Sequence, residues 1–127
     1  QPVLLIGAGN LGSALLGYLG LPSHNFNIVA VFDNNPNKIG YKLWDREIID
    51  IARLKEANES LRARMAIISV PAGNAQGVAD RLVEAGVKVI LNFAPTILKV
   101  PEGIVMRDVC FIQELSVLSF FLDSEPK

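Results

Sequence analysis

Short apolar runs without polar alternation recur along the chain, separated by segments of helical spacing or turn residues. A strand that is buried on both faces has this pattern, because neither face needs polar side chains. The runs predict five strands, at residues 2–6, 27–33, 65–70, 87–93 and 104–109.

The segments that follow the first two strands contain helix signals. Leucines at helical intervals indicate a helix at 10–19. Asp50 is a candidate N-cap for a charged helix at 51–61. The apolar positions of that helix predict a buried stripe of Leu54, Ala57 and Leu61.

The rest of the chain continues the alternation of strands and helices. Asn74 is a candidate cap for a helix that runs to about residue 85, where Gly86 fits a helix C-terminus. The poorly patterned stretch 38–46 is interpreted as a loop with room for one extra short strand. A last helix is predicted at 112–122. This order predicts an α/β fold, a doubly wound and mainly parallel sheet with helices on both faces.

Composition narrows the class of protein. The chain has 127 residues, enough for one domain with one core. Lys and Arg number 12 and Asp and Glu number 13, which gives a net charge of −1. That balance argues against the basic surface of a nucleic-acid-binding domain. An apolar content of 50% excludes a disordered chain.

Cellular context follows from what the sequence lacks. With one cysteine the chain has no intrachain disulfide, which indicates a cytoplasmic protein. It has neither a membrane-length apolar run nor a secretion signal, so no membrane association is expected. Because the chain opens on Gln1 and Pro2 without a methionine, we expect a domain cut from a longer protein.

The first strand–helix junction carries a glycine motif of the form G-x-G-x-x-G. Gly7 permits a tight turn, Gly9 lets a pyrophosphate approach the backbone, and Gly12 lets the helix pack close to the sheet. The free N–H groups at the helix start then face the phosphates. The candidate cofactor-binding residues of this loop are Gly7, Ala8, Gly9, Asn10, Leu11 and Gly12.

An acid at the end of the second strand completes the dinucleotide signature. Asp33 follows Gly12 by 21 residues, close to the spacing of about 20 that this signature shows. Its carboxylate accepts hydrogen bonds from ribose hydroxyls and repels a 2′-phosphate, which favours NAD over NADP. Asn34 and Asn35 follow, rather than an arginine, and support the same choice. The alternative is a glycine turn and a capping aspartate with no ligand.

Two further loops follow the third and fourth strands, at the sheet edge where such folds bind ligands. Small residues and prolines predict narrow, rigid walls for a flat ligand. Asn92 is a candidate hydrogen-bond partner for the nicotinamide amide, or alternatively it only caps a turn. The cofactor-binding candidates here are Val70, Pro71, Ala72, Asn92, Phe93, Ala94 and Pro95.

Candidate catalytic and metal-binding residues are scarce. His24 is the only histidine and falls in a loop at the opposite end of the sheet from the glycine turn. Cys110 stands alone, and Asp108 and Glu114 lack a basic partner in a pocket. There is no Cys/His cluster for a metal, and we predict that this domain is not an enzyme.

The predicted last helix, at 112–122, is apolar on nearly all sides. A surface helix of a monomer shows an apolar face of about 100°. The helix therefore predicts burial against a second subunit or a missing domain, the alternative being insertion into its own core.

Motifs along nearly the whole chain resemble the cofactor-binding domain of Rex, the bacterial redox-sensing transcriptional repressor. The matching motifs near the start of the chain are Gly7–Gly12 and Val31–Asp33, and those near its end are Glu114-Leu115 and Phe121-Leu122. Between these lie Val70-Pro71-Ala72, Asp80–Gly86, Asn92–Pro95 and Val100-Pro101-Glu102. Cys110 departs from the pattern, since many members carry an aspartate there.

The resemblance implies a homodimer that compares NADH with NAD⁺, with residues 1–127 as its Rossmann-type NAD(H)-binding domain. It implies an N-terminal winged-helix domain, absent here, that binds operator DNA. NADH binding to the cofactor domain then releases the full protein from the DNA. It also implies that the helix at 112–122 is the dimerisation helix. The glycine loop and Asp33 map onto the family's phosphate and ribose sites.

Two other classes of protein have domains with this architecture. One is the N-terminal domain of an NAD-dependent oxidoreductase, although no proton donor is evident beside the expected nicotinamide. The other is a coenzyme A-binding domain like that of the succinyl-CoA synthetase α subunit, although the histidine that such enzymes phosphorylate has no counterpart here.

Overall fold

A single mixed sheet with helices on both sides organises the chain. The structure is a computed structural model that describes residues 1–19 and 26–109. Its strands are β1 (Pro2–Ile6), β2 (Asn27–Asp33), β3 (Lys42–Leu43), β4 (Arg46–Asp50), β5 (Met65–Ile68), β6 (Val89–Asn92) and β7 (Val105–Asp108). Its helices are α1 (Asn10–Leu19), α2 (Leu54–Leu61), which continues from a 3₁₀ turn at Ile51–Arg53, and α3 (Ala72–Glu84).

The sheet order within the described residues is β3-β4-β2-β1-β5-β6-β7. All neighbouring strands are parallel except the β3–β4 hairpin. The chain builds outward from β1 through β2 to β4 and then returns to the other side of β1 with β5. Ligands of such sheets bind where the order reverses, at the carboxyl ends of the strands.

The two faces of the sheet are covered by different helices. Side chains alternate along β1, so that Val3 and Leu5 pack on the α1 side while Leu4 and Ile6 pack on the side of α2 and α3. All four are fully buried. This explains why β1 shows no polar alternation, and it confirms the predicted Rossmann-type sheet with helices on both faces. In the described ranges no helix is long and apolar enough to cross a membrane.

Strand β4 is the element that the sequence pattern missed. It pairs in parallel with β2 and runs from Arg46, the last residue of the predicted loop, to the predicted cap Asp50, across residues for which the pattern predicts no element. Only Ile48 in this strand is buried, because β4 lies near the edge and exposes its other side chains in part. The β3–β4 turn holds Trp44 at φ +56°, and its indole Nε1 donates to the carbonyl oxygen of Ser13 in α1 at 2.8 Å.

Helix ends agree with the predictions at two positions and disagree at one. Asp50 accepts a hydrogen bond from the Ala52 N–H, and Gly86, at φ +95°, ends α3 as expected. Asn74, predicted as the cap of α3, lies inside its first turn, and its N–H donates to the carbonyl of Pro71. Pro71, in an extended conformation, is the residue before the helix, which therefore begins at Ala72 and has no side-chain hydrogen bond at its cap.

The predicted strand ends and the predicted buried residues of α2 differ slightly from the structure. The third and fourth predicted strands end two residues and one residue earlier than expected, at Ile68 and Asn92. Leu54 is buried, while Ala57 and Leu61 are partly buried against the same core. The predicted helix at 112–122 lies outside the described residues.

Asn58 locks the ends of α2 and α3 together. Its side chain is 4% exposed and makes three hydrogen bonds. The amide donates to the carbonyls of Ala63 and Ala85 at 3.0 and 2.9 Å, and its oxygen accepts from the Ala63 N–H at 2.8 Å. The turn into β5 and the end of α3 therefore share one buried polar group.

We expect Asn58→Ala to lower the free energy of unfolding by about 2–3 kcal/mol, because it leaves three backbone groups without their partner. Urea unfolding followed by circular dichroism measures the loss. Ser60→Ala, on the exposed side of the same helix, is the matched control and should change stability by less than about 0.5 kcal/mol. Equal effects of the two variants would contradict the assignment.

Candidate functional site

A cavity of about 540 Å³ opens at the carboxyl edge of β1, β2 and β5. One wall is the glycine loop, with Gly7 and Gly9, and another is formed by Asp33 at the end of β2. Val70 and Pro71, after β5, form the third wall. The structure therefore brings together the glycine loop, the acid and the first of the two predicted cleft loops.

Gly7 and Gly12 let α1 start directly against the end of β1. A Cβ on Gly12 would overlap the carbonyl oxygen of Gly7. Gly7 itself has φ +113°, and a Cβ there would lie 2.7 Å from the Ser69 carbonyl oxygen. The Ser69 hydroxyl lies 3.1 Å from the carbonyl oxygens of both Ile6 and Gly7, so β5 fastens this turn.

The start of α1 presents unpaired backbone donors to the cavity edge. The first helical hydrogen bond runs from the Ser13 N–H to the carbonyl of Gly9. The N–H groups of Asn10, Leu11 and Gly12 therefore have no acceptor within the helix. Together with the helix dipole they favour an anion at this point.

Asp33 is bound to the glycine loop by its carboxylate. Oδ2 accepts from the Ala8 N–H at 2.8 Å, and Oδ1 accepts from the Asn35 N–H at 2.9 Å. A carboxylate has about four acceptor positions, so each oxygen keeps capacity for a ligand hydroxyl. The half-buried side chain is thus fixed in place beside the cavity.

The cavity is also lined by residues that were not predicted as part of the site, among them Lys38, Ser69 and Arg81. Lys38 extends to the glycine loop, where its Nζ donates to the Ala8 carbonyl oxygen at 3.3 Å. Ser69 lies beneath the loop, and Arg81 lines the far end of the cavity from α3. Ser69 had a sequence signal, because it stands next to Val70 at the carboxyl end of the predicted strand at 65–70.

The second predicted cleft loop lies apart from this cavity. Asn92, Phe93, Ala94 and Pro95 line a separate depression of about 360 Å³ with Thr96, Ile97, Asp108 and Val109. Ala72 is exposed at the start of α3. The structure thus divides the predicted cofactor residues between two neighbouring regions of the same sheet edge.

The Asn92 side chain is 1% exposed and its amide is already used. It donates to the Thr96 carbonyl at 3.1 Å and to Asp108 Oδ1 at 2.9 Å, and its oxygen accepts from the Ala94 N–H at 2.9 Å. Asn92 therefore caps the turn after β6, and its contact with a nicotinamide stays a prediction.

Other candidate groups add little to the site. Within residues 1–19 and 26–109, no three His, Cys, Asp or Glu side chains are placed to hold a metal. Asp108 lies on β7 as the partner of Asn92. His24, Cys110 and Glu114 lie outside the described residues.

Comparison with known proteins assigns the family. A family model described as CoA binding domain matches residues 1–96. The chain belongs to the CoA-binding domain family. Among its curated relatives is the redox-sensing transcriptional repressor Rex of Carboxydothermus hydrogenoformans, 49% identical over 118 residues. That match covers 93% of this chain and 57% of the relative, so the chain spans little more than half of such a protein.

Solved structures point to the same relatives. The chain superposes on RSP, a Rex-family repressor, with a TM-score of 0.82 and 37% identity, covering 96% of this chain and 58% of that one. RSP has also been solved with β-NADH, and with β-NAD⁺ and operator DNA, at TM-scores of 0.81 and 0.80 and 37% identity. These matches cover 96% of this chain and 59% and 56% of those chains. The chain resembles the NAD-binding domain of Rex.

The same fold occurs in enzymes. UDP-D-quinovosamine 4-dehydrogenase from Vibrio fischeri matches with a TM-score of 0.66 at 19% identity, over 73% of this chain and 77% of that one. At this identity the likeness concerns the fold alone.

We expect Gly12→Ala to lower the free energy of unfolding by at least about 2 kcal/mol, because the new methyl overlaps the Gly7 carbonyl and α1 must move. Gly77→Ala is a matched control in α3, where a Cβ meets no described atom within 4 Å. It should raise stability by about 0.5–1 kcal/mol through helix propensity. Thermal unfolding without ligand measures both, and a neutral Gly12→Ala would contradict the close packing.

Proposed function

We propose that this chain binds NAD(H) as the cofactor-binding domain of a Rex-type redox-sensing transcriptional repressor. The observation that carries the proposal is the hydrogen bond of the Asp33 carboxylate to the glycine loop in one cavity. It joins both halves of the dinucleotide signature. The likeness to RSP, which has been solved with both cofactor forms, supports the same ligand.

The cavity suggests a place for each part of the cofactor. The pyrophosphate lies at the N–H groups of Asn10 and Leu11, across the bare backbone of Gly9. The adenosine ribose hydroxyls donate to Asp33, and Val70 and Pro71 border the dinucleotide. The nicotinamide extends toward the loop at 92–95, which Asn92 holds in shape.

Asp33 distinguishes the three cofactors under consideration. NADPH carries a phosphate on the 2′-oxygen of this ribose and coenzyme A carries one on the 3′-oxygen. The carboxylate repels either phosphate and accepts hydrogen bonds from free hydroxyls. The family's name includes coenzyme A, but this arrangement favours a ribose without a phosphate.

The switch in the whole protein rests on a difference between cofactor forms. A ligand shifts a two-state protein only by its differential affinity for the two states. NAD⁺ carries a positive charge on its ring that NADH lacks, and enclosing it in an apolar wall costs more. Phe93, a residue of the loop at 92–95 that is 8% exposed, is a candidate for that wall.

The regulated assembly is a cytoplasmic homodimer that acts by binding rather than by turnover. In it the helix at 112–122 joins the subunits, and an N-terminal winged-helix domain binds operator DNA until NADH releases it. The alternative is the cofactor domain of an NAD-dependent oxidoreductase, which the fold of the dehydrogenases permits. Steady oxidation of NADH by a carbonyl substrate would favour that alternative.

Calorimetric titration with NADH, NAD⁺, NADPH and coenzyme A in parallel tests the ligand. NADH should bind more tightly than NAD⁺, with NADPH weak and coenzyme A weaker still, because of the ring charge and Asp33. Binding of coenzyme A alone would replace the proposal with an acyl-carrier function, and equal affinity for NADH and NAD⁺ would remove the basis of the switch.

Asp33→Asn should weaken NADH about tenfold and reduce its preference over NADPH, because it removes the charge and one of two acceptors. Competition titrations of NADH against NADPH give the ratio. Asp45→Asn, in the exposed β3–β4 turn, is the matched control and should bind as the unmodified chain does. An unchanged ratio for Asp33→Asn would show that Asp33 does not contact the ribose.

A further inference from the structure

Lys38 lies in an ordered turn after β2 and faces the glycine loop. Its N–H donates to the Asn35 carbonyl at 2.9 Å, and its own carbonyl accepts from the Tyr41 N–H at 3.1 Å. These bonds fix the backbone from which the half-buried side chain crosses to the glycine loop. The ammonium is therefore held at the cavity by the fold.

The ammonium occupies the open side of Gly9. A Cβ built on Gly9 would have Lys38 Nζ, at 3.8 Å, as its one described neighbour within 4 Å. This is the space that a glycine leaves open for a pyrophosphate. It adjoins the free N–H groups at the start of α1, so a cation and a set of backbone donors converge on one point.

The charge of Lys38 is only partly used within the protein. Nζ donates to one neutral acceptor, the Ala8 carbonyl, at the long distance of 3.3 Å. Among residues 1–19 and 26–109 the one ion pair is Arg53–Glu56, so no described acid pairs with Lys38. An ammonium has three donors, and two of them are available to a ligand.

Lys38 also offsets the acid beside it. Asp33 and Lys38 bind opposite ends of the same residue, at the Ala8 N–H and the Ala8 carbonyl respectively. The carboxylate suits ribose hydroxyls but repels phosphates bound nearby. A cation at the edge of the same cavity offsets part of that repulsion.

We propose that Lys38 binds the pyrophosphate of the dinucleotide over Gly9. The inference rests on the proposed function, since it names a further binding residue of that same cavity. In this role Lys38 contacts only the negatively charged phosphates, so its contribution to affinity does not depend on the base or on the nicotinamide.

Lys38→Met tests the contact, with NADH, ADP-ribose and adenosine as ligands. The variant should bind NADH and ADP-ribose about tenfold more weakly, because one charge-assisted hydrogen bond to phosphate is lost. Adenosine, titrated by NMR at millimolar concentration, should bind as before. The affinity for NADH should also depend less on salt, since fewer charges are screened.

Two further variants separate charge from structure. Lys38→Arg should keep most of the affinity and its salt dependence, whereas Lys38→Gln, a second neutral variant, should behave as Lys38→Met does. Lys42→Met, on the exposed edge strand β3, is the matched control and should bind as the unmodified chain does. Thermal unfolding of each free variant checks that the fold is retained.

The outcomes distinguish this inference from the proposed function. An unmodified chain that binds no NADH overturns both. An unmodified chain that binds NADH, with folded Lys38→Met or Lys38→Gln binding equally well, overturns the Lys38 contact alone. An equal loss for adenosine would place Lys38 at the ribose and overturn the phosphate assignment.

Discussion

The close contact between the start of α1 and the end of β1 is the constraint on which the site depends. It exists because Gly12 has no side chain to collide with the Gly7 carbonyl. Without this contact the free N–H groups of α1 would be carried away from the strand ends, and the acid at the end of β2 would not meet the glycine loop. The Ser69 hydroxyl extends the same contact to β5, so three strands share one turn.

Ala8 is the point where distant segments of the chain meet. Its N–H binds Asp33, 25 residues away, and its carbonyl binds Lys38, 30 residues away. Its side chain is a buried methyl group, so the backbone N–H and carbonyl make both hydrogen bonds. The acid and the cation are consequently held at the same edge of the cavity by the backbone of one residue.

The fold was largely predictable because its signals are local. The buried runs of β1 and β2, the leucine spacing of α1 and the glycine at the end of α3 each depend on nearby residues. Strand β4 was missed because its mixed composition reflects a position next to the edge of the sheet, which only the assembled sheet defines. Asn74 was misassigned because Pro71 already fixes where the helix can begin.

The candidate site was predictable only where a motif encodes it. Gly7, Gly9, Gly12 and Asp33 carry fixed spacings, and the structure places Gly7, Gly9 and Asp33 around one cavity and Gly12 directly beneath the turn. No sequence pattern predicted the role of Lys38, because its hydrogen bond to the Ala8 carbonyl joins residues 30 positions apart and depends on the path of the turn after β2. The hydrogen bond from Asn92 to Asp108 could not be predicted either, because it depends on the pairing of β6 with β7.

The hydrogen bond from Trp44 to Ser13 gives the chain an internal optical reporter. The sequence contains a single tryptophan, and its half-exposed indole donates to Ser13 of α1, the helix whose first N–H groups lack an acceptor within the helix. Indole emission responds to hydration and hydrogen bonding, so a movement of α1 relative to the hairpin changes the fluorescence of this one residue. The molecule can therefore be observed at its glycine-loop helix without any added label.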